Sequence, residues 1–256
     1  MTRPDIETTG TLNERAQAAC VQAKALEAAG EYEAARTAMS EFWERVGERP
    51  DVDRLEQIEQ AEVILRAGTL TGWIGSARQI RGAQESAKDL ISEAARLFEG
   101  CGLRERVAEA RVDLAICYWR EGAFDEARVS CDDALQQLGE LESDQKLRAF
   151  LTRAIIEKVS LRPEDALRTH RQAAPLFENS NNVALKGKFH NEYATVLKYL
   201  GLARNSAELI DQALVEYSAA TVYAEEAGNK NFLALVENNV GNLFVRLRRF
   251  EEAHKH

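Results

Sequence analysis

The strongest constraint on the fold is a short pattern that recurs along the chain about every 40 residues. In "GEYEAARTAMSEFW" (30–43) and "GAFDEARVSCDDAL" (122–135), a glycine is followed by an aromatic residue two positions later and by an alanine three positions after that. Related segments occur at 83–98, 162–177, 208–223 and 248–256. The anchoring alanines are Ala35, Ala87, Ala127, Ala166, Ala213 and Ala253, with successive spacings of 52, 40, 39, 47 and 40 residues.

Each copy follows a segment with helical periodicity and a small residue near its centre. Examples are "AEARVDLAICYWREG", which contains Ala115, and "LVENNVGNLFVRL", which contains Gly241. Small residues would let the two helices of a hairpin approach closely, and the aromatic residue beside the turn would fill the gap. One hairpin cannot bury its apolar face alone, so neighbouring hairpins must stack. With only 4 Pro and 15 Gly in the chain, the sequence predicts an all-α fold.

This pattern resembles the tetratricopeptide repeat (TPR). The resemblance is strongest in 108–141 and 234–256 and weakest in 55–98 and 147–178. In 147–178 a proline replaces the aromatic residue of the turn, and Leu161 stands where the glycine would be. The period exceeds the 34 residues usual in the family, so the chain looks like the long-helix variety found in kinesin light chains and bacterial signalling regulators.

The resemblance implies a right-handed α-solenoid of about six antiparallel helical hairpins. It covers nearly the whole chain, so we expect one repeat domain over residues 13–256 after a flexible tail formed by residues 1–12. The last copy, 234–256, contains one complete first helix and about half of a second one. We therefore expect the sequence to be truncated within its final repeat. Either it is a fragment of a longer protein, or the uncapped last repeat docks on another chain, for example in a homodimer.

Two copies carry insertions of the same length. Gly68 and Ala87 are 19 residues apart, as are Ala194 and Ala213, whereas the corresponding interval in the other two clear copies is 12. Seven residues amount to about two helical turns. The insertions therefore predict lengthened helices or a structured elbow at the tip of the hairpin.

The charge and the cysteines limit the classes of partner and compartment. The net charge is −9, which argues against nucleic acid and membrane surfaces as partners. The acidic excess lies before Ser180, because residues 180–256 contain 9 basic and 9 acidic side chains. The N-terminus lacks the apolar core of a signal peptide, and no long apolar run predicts a membrane span. Four cysteines without CxxC spacing are typical of a reducing cytoplasm, which is the predicted location.

No motif in the chain predicts catalysis, a metal or a cofactor. The Gly-rich segment 69–90 has neither GxxxxGK[ST] nor GxGxxG and follows no predicted strand, and its Trp73 is expected to be packed or at an interface. The four histidines form no HExxH motif and no cluster with metal-ligand spacing. Nothing resembling GxSxG brings Ser, His and Asp together. The sequence therefore predicts a protein that is not an enzyme and that needs no cofactor.

The resemblance also implies where a partner would bind. In TPR proteins the first helices of successive hairpins line a concave groove, where Asn, Lys and Arg hold an extended peptide. Placing this sequence on that pattern gives the candidate groove residues Trp119, Arg148, Lys158, Lys188, Asn191, Lys198, Tyr199, Asn238, Asn239, Asn242 and Arg246. Asn can donate to and accept from a peptide backbone, and Lys and Arg suit acidic groups. The alternative is that these residues are merely solvated, and Asn238 can equally point into the next repeat.

The predicted function is therefore the binding of a protein or peptide partner, for which acidic groups would suit the Lys and Arg side chains, by a scaffold without enzymatic activity. A regulatory or ligand-sensing array within a larger signalling or transcription-regulatory protein is the main alternative. Self-association through the last repeat is a third.

Overall fold

The computed structural model describes residues 10–255, and this part of the chain folds into twelve α-helices with no β-strand. The helices are α1 (Leu12–Ala28), α2 (Tyr32–Ala38), α3 (Gln57–Ala77), α4 (Ala83–Gly100), α5 (Arg104–Arg120), α6 (Phe124–Leu138), α7 (Asp144–Val159), α8 (Pro163–Asn179), α9 (Val183–Arg204), α10 (Ala207–Glu226), α11 (Lys230–Arg246) and α12 (Phe250–Ala253). None of them combines the length and the apolar character needed to cross a membrane. The predicted all-α repeat of about six helical hairpins is confirmed.

The chain divides into two compact units, residues 1–137 and residues 138–256. At the start of the described part, the Thr11 hydroxyl accepts the Glu14 N–H at 3.2 Å, and the Glu14 carboxylate accepts the Thr11 N–H at 2.6 Å. This reciprocal capping box starts α1 at Leu12, the last residue of the predicted tail. Residues 1–9 of that tail lie outside the described residues, and the single repeat domain over 13–256 stays a prediction.

The anchoring alanines lie where helices pack most tightly. Five of them are 0% exposed, namely Ala35, Ala87, Ala127, Ala166 and Ala213. Close approach is also enforced by two glycines in the lengthened hairpins. A Cβ atom on Gly68 would lie 2.8 Å from Ile91 Cγ1, and one on Gly201 would lie 2.9 Å from Ile210 Cδ1. Any larger side chain at either position would push the two helices of its hairpin apart.

The turn between the two helices of a hairpin requires one residue in the left-handed region. Gly30 and Gly122 occupy it with φ of 80° and 79°. The other four hairpin turns place a non-glycine residue there: Gln79 at 54°, Leu161 at 60°, Asn205 at 51° and Arg248 at 58°. The repeat pattern located this position correctly, and Leu161 adopts the backbone conformation of the glycine that it replaces.

The two insertions lengthen helices. In the second hairpin, α3 has 21 residues and α4 has 18, and in the fifth hairpin α9 has 22 and α10 has 20. The third hairpin, which lacks the insertion, has helices of 17 and 15 residues. Both members of an inserted hairpin are longer, so each insertion extends the hairpin at its tip.

The first hairpin departs from the sequence pattern. Its second helix, α2, ends at Ala38, although the repeat copy extends to Trp43. The chain then continues without regular helix as far as Glu56, the residue that caps α3. Met39 and Trp43 are nevertheless buried, and the Trp43 indole N–H donates to the Glu48 carbonyl at 3.1 Å. Apolar contacts and turn hydrogen bonds here replace the last turns of the expected helix.

The Gly-rich segment 69–90 forms the end of α3, the turn that follows and the start of α4. Trp73 stacks on Tyr32 with 4.9 Å between the ring centroids, and the Arg120 guanidinium lies 3.7 Å from the centroid of the Trp73 ring. Arg120 also donates to the Gly72 carbonyl at 3.0 Å. Trp73 is therefore packed on both faces, as the sequence predicted, and the segment offers no phosphate-binding loop.

Candidate functional site

The predicted groove residues are divided between the two units. Trp119 is half-buried on α5 of the first unit. The other ten lie on the first helices of the three hairpins in the second unit: Arg148 and Lys158 on α7, Lys188, Asn191, Lys198 and Tyr199 on α9, and Asn238, Asn239, Asn242 and Arg246 on α11. The candidate site is therefore the face of α7, α9 and α11 in the second unit.

Two asparagines form a direct link between α9 and α11. The Asn239 side-chain amide donates to Asn191 Oδ1 at 2.9 Å, and the Asn191 amide donates to Glu192 Oε1 at 3.3 Å. Asn191 is only 3% exposed, so it is a fixed support for Asn239. From the sequence we expected it to face the groove, and its burial differs from that expectation. Asn239 is half-buried and uses one donor in this bond, which leaves a second N–H and its carbonyl oxygen for a ligand. We call Asn191 and Asn239 the amide pair.

Three cationic side chains approach one another beside the amide pair, and we call Lys158, Lys198 and Arg246 the cation cluster. Lys198 and Arg246 are 48 residues apart, the same interval as in the amide pair, so both pairs share the register between α9 and α11. Lys158 forms an ion pair with Glu192, and Arg246 Nε donates to Asn242 Oδ1 at 3.3 Å.

Lys198 is the least compensated member of the cation cluster. Its Nζ lies 5.6 Å from the centroid of the Tyr217 ring, and no carboxylate within residues 10–255 forms an ion pair with it. The pKa of Lys198 is lowered, first by loss of water around the ammonium and then by the charges of Arg246 and Lys158, while Glu192 acts in the opposite direction. An anion placed here would relieve both effects.

A second cationic position lies nearer the N-termini of α7 and α9. Arg148 Nη1 donates to Gln145 Oε1 at 3.2 Å. Lys188 is solvent-exposed as a residue, yet its pKa is lowered, first by partial desolvation and then by the charge of Arg148. The acidic Glu192 of α9 is already paired with Lys158.

The remaining candidates differ in what they face. Tyr199 is 52% exposed and can serve as an apolar anchor. Asn238 and Asn242 are exposed and line an open cavity of about 710 Å³ together with Val245 and Ala253. Because Ala253 belongs to α12, this position favours the alternative that Asn238 faces the following helix rather than a peptide.

One buried contributor was missed because it lies on a second helix. Tyr217 of α10 is 1% exposed, and its hydroxyl is 3.1 Å from Thr195 Oγ1. Burial raises the pKa of Tyr217 to about 12, so the phenol stays neutral. Its ring lies under Lys198 and holds that ammonium by a cation–π contact. Patterns within the first helices alone give no signal for this residue.

The corresponding helices of the first unit carry a buried ion network. Arg66 of α3 is 2% exposed and donates to Glu27 and Glu109 at 2.7 Å each. Glu109 of α5, which is 0% exposed, also accepts from Lys24 at 2.9 Å. Asp113 of α5 is 2% exposed and lies 3.6 Å from Arg66. Asp113 therefore contributes to neutralising the buried cation Arg66.

Within the described part of the chain, no group of His, Cys, Asp and Glu side chains is arranged to hold a metal ion. The cysteines are not paired with one another: Cys20, Cys117 and Cys131 are buried, and Cys101 is half-buried. Burial raises the pKa of Cys20 to about 11 and that of Cys117 to about 12, which keeps both thiols protonated and unreactive.

No protein-family model matches the chain, and no curated protein matches its sequence. Its structure is similar to that of BtubC (BKLC) from P. vanneervenii, with 19% identity and a TM-score of 0.59 over 96% of this chain and 88% of that one. NprR in complex with its cognate peptide NprX is similar at 10% identity and a TM-score of 0.61, covering 98% and 68% of the two chains. A kinesin light chain from Podosopora anserina with nearly identical TPR-like repeats is similar at 13% identity and a TM-score of 0.55, covering 81% of this chain and 97% of that one. At these identities the similarity shows the fold, a TPR-like helical repeat.

Proposed function

We propose that this chain binds an extended peptide segment of a protein partner along the face of α7, α9 and α11, and that it acts by binding alone. The observation that carries this function is the position of Lys198, a partly desolvated ammonium without a carboxylate partner, beside the half-satisfied amide of Asn239. Together they offer a cation for an acidic group and a donor–acceptor group for a peptide backbone.

Three further features support this function. Asn191 is buried and holds the Asn239 side chain in place, so the amide pair is preorganised and loses little entropy on binding. The net charge of −9 disfavours nucleic acid, whereas the local cation cluster attracts the few carboxylates of a short acidic peptide. One protein of similar fold, NprR, is known in complex with a peptide.

The test is a selection from a random peptide library displayed on phage. The parent chain is compared with a variant carrying Asn239→Ala and Lys198→Ala, and with a control carrying Gln172→Ala and Arg171→Ala on the exposed side of α8. We expect a recurrent acidic sequence to be enriched by the parent and by the control and lost by the groove variant. Equal enrichment by all three proteins, or none by the parent, would refute the function.

Self-association is a second candidate, favoured by the open cavity beside α11 and α12. It is lined by the apolar or small residues Leu233, Ala234, Gly241, Val245 and Ala253 and by the polar residues Lys230, Glu237, Asn238 and Asn242, and a second copy could cover this mixed surface. Sedimentation velocity over a range of concentrations would then show a dimer, and Val245→Glu would return the protein to a monomer. A constant monomeric mass would exclude it.

A role in a larger regulator is compatible with the same groove, since the bound peptide would then be the signal. We place the chain in the cytoplasm, where buried and half-buried thiols of this kind stay reduced. In that setting peptide binding would bias an output elsewhere in the protein. Thermal stabilisation of the chain by a selected peptide would support this reading, and the absence of any shift at saturating peptide would oppose it.

A further inference from the structure

Two lysines mark the ends of the candidate site on a single helix. Lys188 and Lys198 both lie on α9, with Asn191 and Thr195 between them on the same side of the helix. The turn angle of an α-helix places these four residues within a stripe of about 80°. Ten residues at the helical rise separate the two lysines by about 15 Å along the helix axis.

These two lysines differ from others on the first helices of the hairpins. Lys158 is paired with Glu192, and Lys24 is paired with Glu109 at 2.9 Å. For Lys188 and Lys198, by contrast, no carboxylate in the described part of the chain lies within ion-pair distance. In both cases the neighbouring charges that act on the ammonium are mainly cationic, from Arg148 at one end and from Arg246 and Lys158 at the other.

The two ammonium groups flank the amide pair. Asn191 is three residues after Lys188 and seven residues before Lys198, and it holds Asn239 beside it. A peptide that lies along α9 therefore meets a cation, then an amide that can bond its main chain, and then a second cation. One acidic group would satisfy only one end of this arrangement.

We propose that the partner segment carries two acidic side chains separated by four positions, i and i+4, with one carboxylate at Lys188 and the other at Lys198. An extended chain advances about 3.4 Å per residue, so about 15 Å corresponds to between four and five residues. Side chains four positions apart point to the same side of an extended chain, whereas those five apart point to opposite sides. This inference rests on the proposed function, because it specifies the peptide that the same groove takes.

The test uses short fluorescein-labelled peptides of Ser, Thr and Ala that contain two glutamates at spacings from two to six positions. Their affinities are measured by fluorescence anisotropy. We expect the tightest binding at a spacing of four, and replacement of either glutamate by Gln should weaken it about tenfold. A further peptide replaces the second glutamate by a free C-terminal carboxylate at the same position, and stronger binding of that peptide would overturn the assignment of a side chain at Lys198.

Protein variants identify which lysine reads which acid. Lys188→Gln should weaken the two-glutamate peptide about tenfold but leave a peptide that retains only the Lys198-facing glutamate unchanged. Lys186→Gln is the matched control, because its Nζ donates to the Glu178 carbonyl at 3.0 Å and lies near the Tyr223 ring. Affinity that is independent of spacing, with Asn239→Ala still harmful, would overturn the two-acid inference and leave peptide binding standing. Peptides that bind equally to the parent and to Asn239→Ala would overturn both.

Discussion

Glu109 is predicted to be the most sensitive charged residue of the first unit. It is 0% exposed, and its carboxylate accepts from Lys24 Nζ at 2.9 Å, from Arg66 Nη2 at 2.7 Å and from Arg106. Glu109→Gln keeps the shape but removes the negative charge that these three cations share. Removing one partner of a buried ion pair costs about 3–5 kcal/mol. Arg66 retains Glu27 at 2.7 Å, so we expect the lower end, about 3 kcal/mol.

Urea unfolding, followed by circular dichroism, measures the loss in the free energy of unfolding, and scanning calorimetry measures the fall in Tm. For a unit of this size, about 3 kcal/mol corresponds to a fall of about 10 °C in the Tm of its transition. Glu105→Gln is the control, because Glu105 is exposed on the same helix, four residues before Glu109, and should change stability by less than about 1 kcal/mol. A loss below about 1 kcal/mol for Glu109→Gln would refute the view that the network is held together by this carboxylate.

Three further predictions concern the second unit. His170 is 1% exposed, and burial lowers its pKa to about 3. The stability that neutral His170 contributes above pH 6.5 should therefore be lost as the pH falls towards 3. His170→Phe should flatten this part of the curve of urea midpoint against pH. Leu161→Gly should raise the free energy of unfolding by about 0.5–1 kcal/mol, because Leu161 is 80% exposed with φ of 60°; no gain would contradict the strain. Lys198→Gln should leave the Tm unchanged or higher while peptide affinity falls, whereas a lower Tm would indicate a structural role.

The repeat could be predicted because it depends on local features. Alanines recur about every 40 residues in the sequence, and five of the six are fully buried in the structure. The position of each turn follows from the same spacing, so the left-handed residue Leu161 could be identified by register alone. The end of α2 at Ala38 could not be predicted. There, tertiary burial of Met39 and Trp43 outweighs the helical pattern that continues through them.

The candidate site was predicted in part. The pattern identified the cations and amides of α9 and α11, because exposed polar residues on a helix face follow the helical period. It did not distinguish Asn239 from Asn191. Asn239 is half-buried and keeps an N–H and a carbonyl oxygen for a ligand, whereas Asn191 is buried and supports it. For the same reason Arg66 and Glu109 gave no signal: a charge that is buried opposite its partner has the same spacing as one that faces solvent.

The most direct test of peptide binding by the second unit is isothermal titration of the strongest peptide from the phage selection. The account predicts that Asn239→Ala combined with Lys198→Ala weakens binding about 100-fold, since it removes two polar contacts of about 1.5 kcal/mol each. The control with Arg171→Ala and Gln172→Ala should bind like the parent. Equal affinity of all three proteins would contradict the account and place the peptide elsewhere on the molecule.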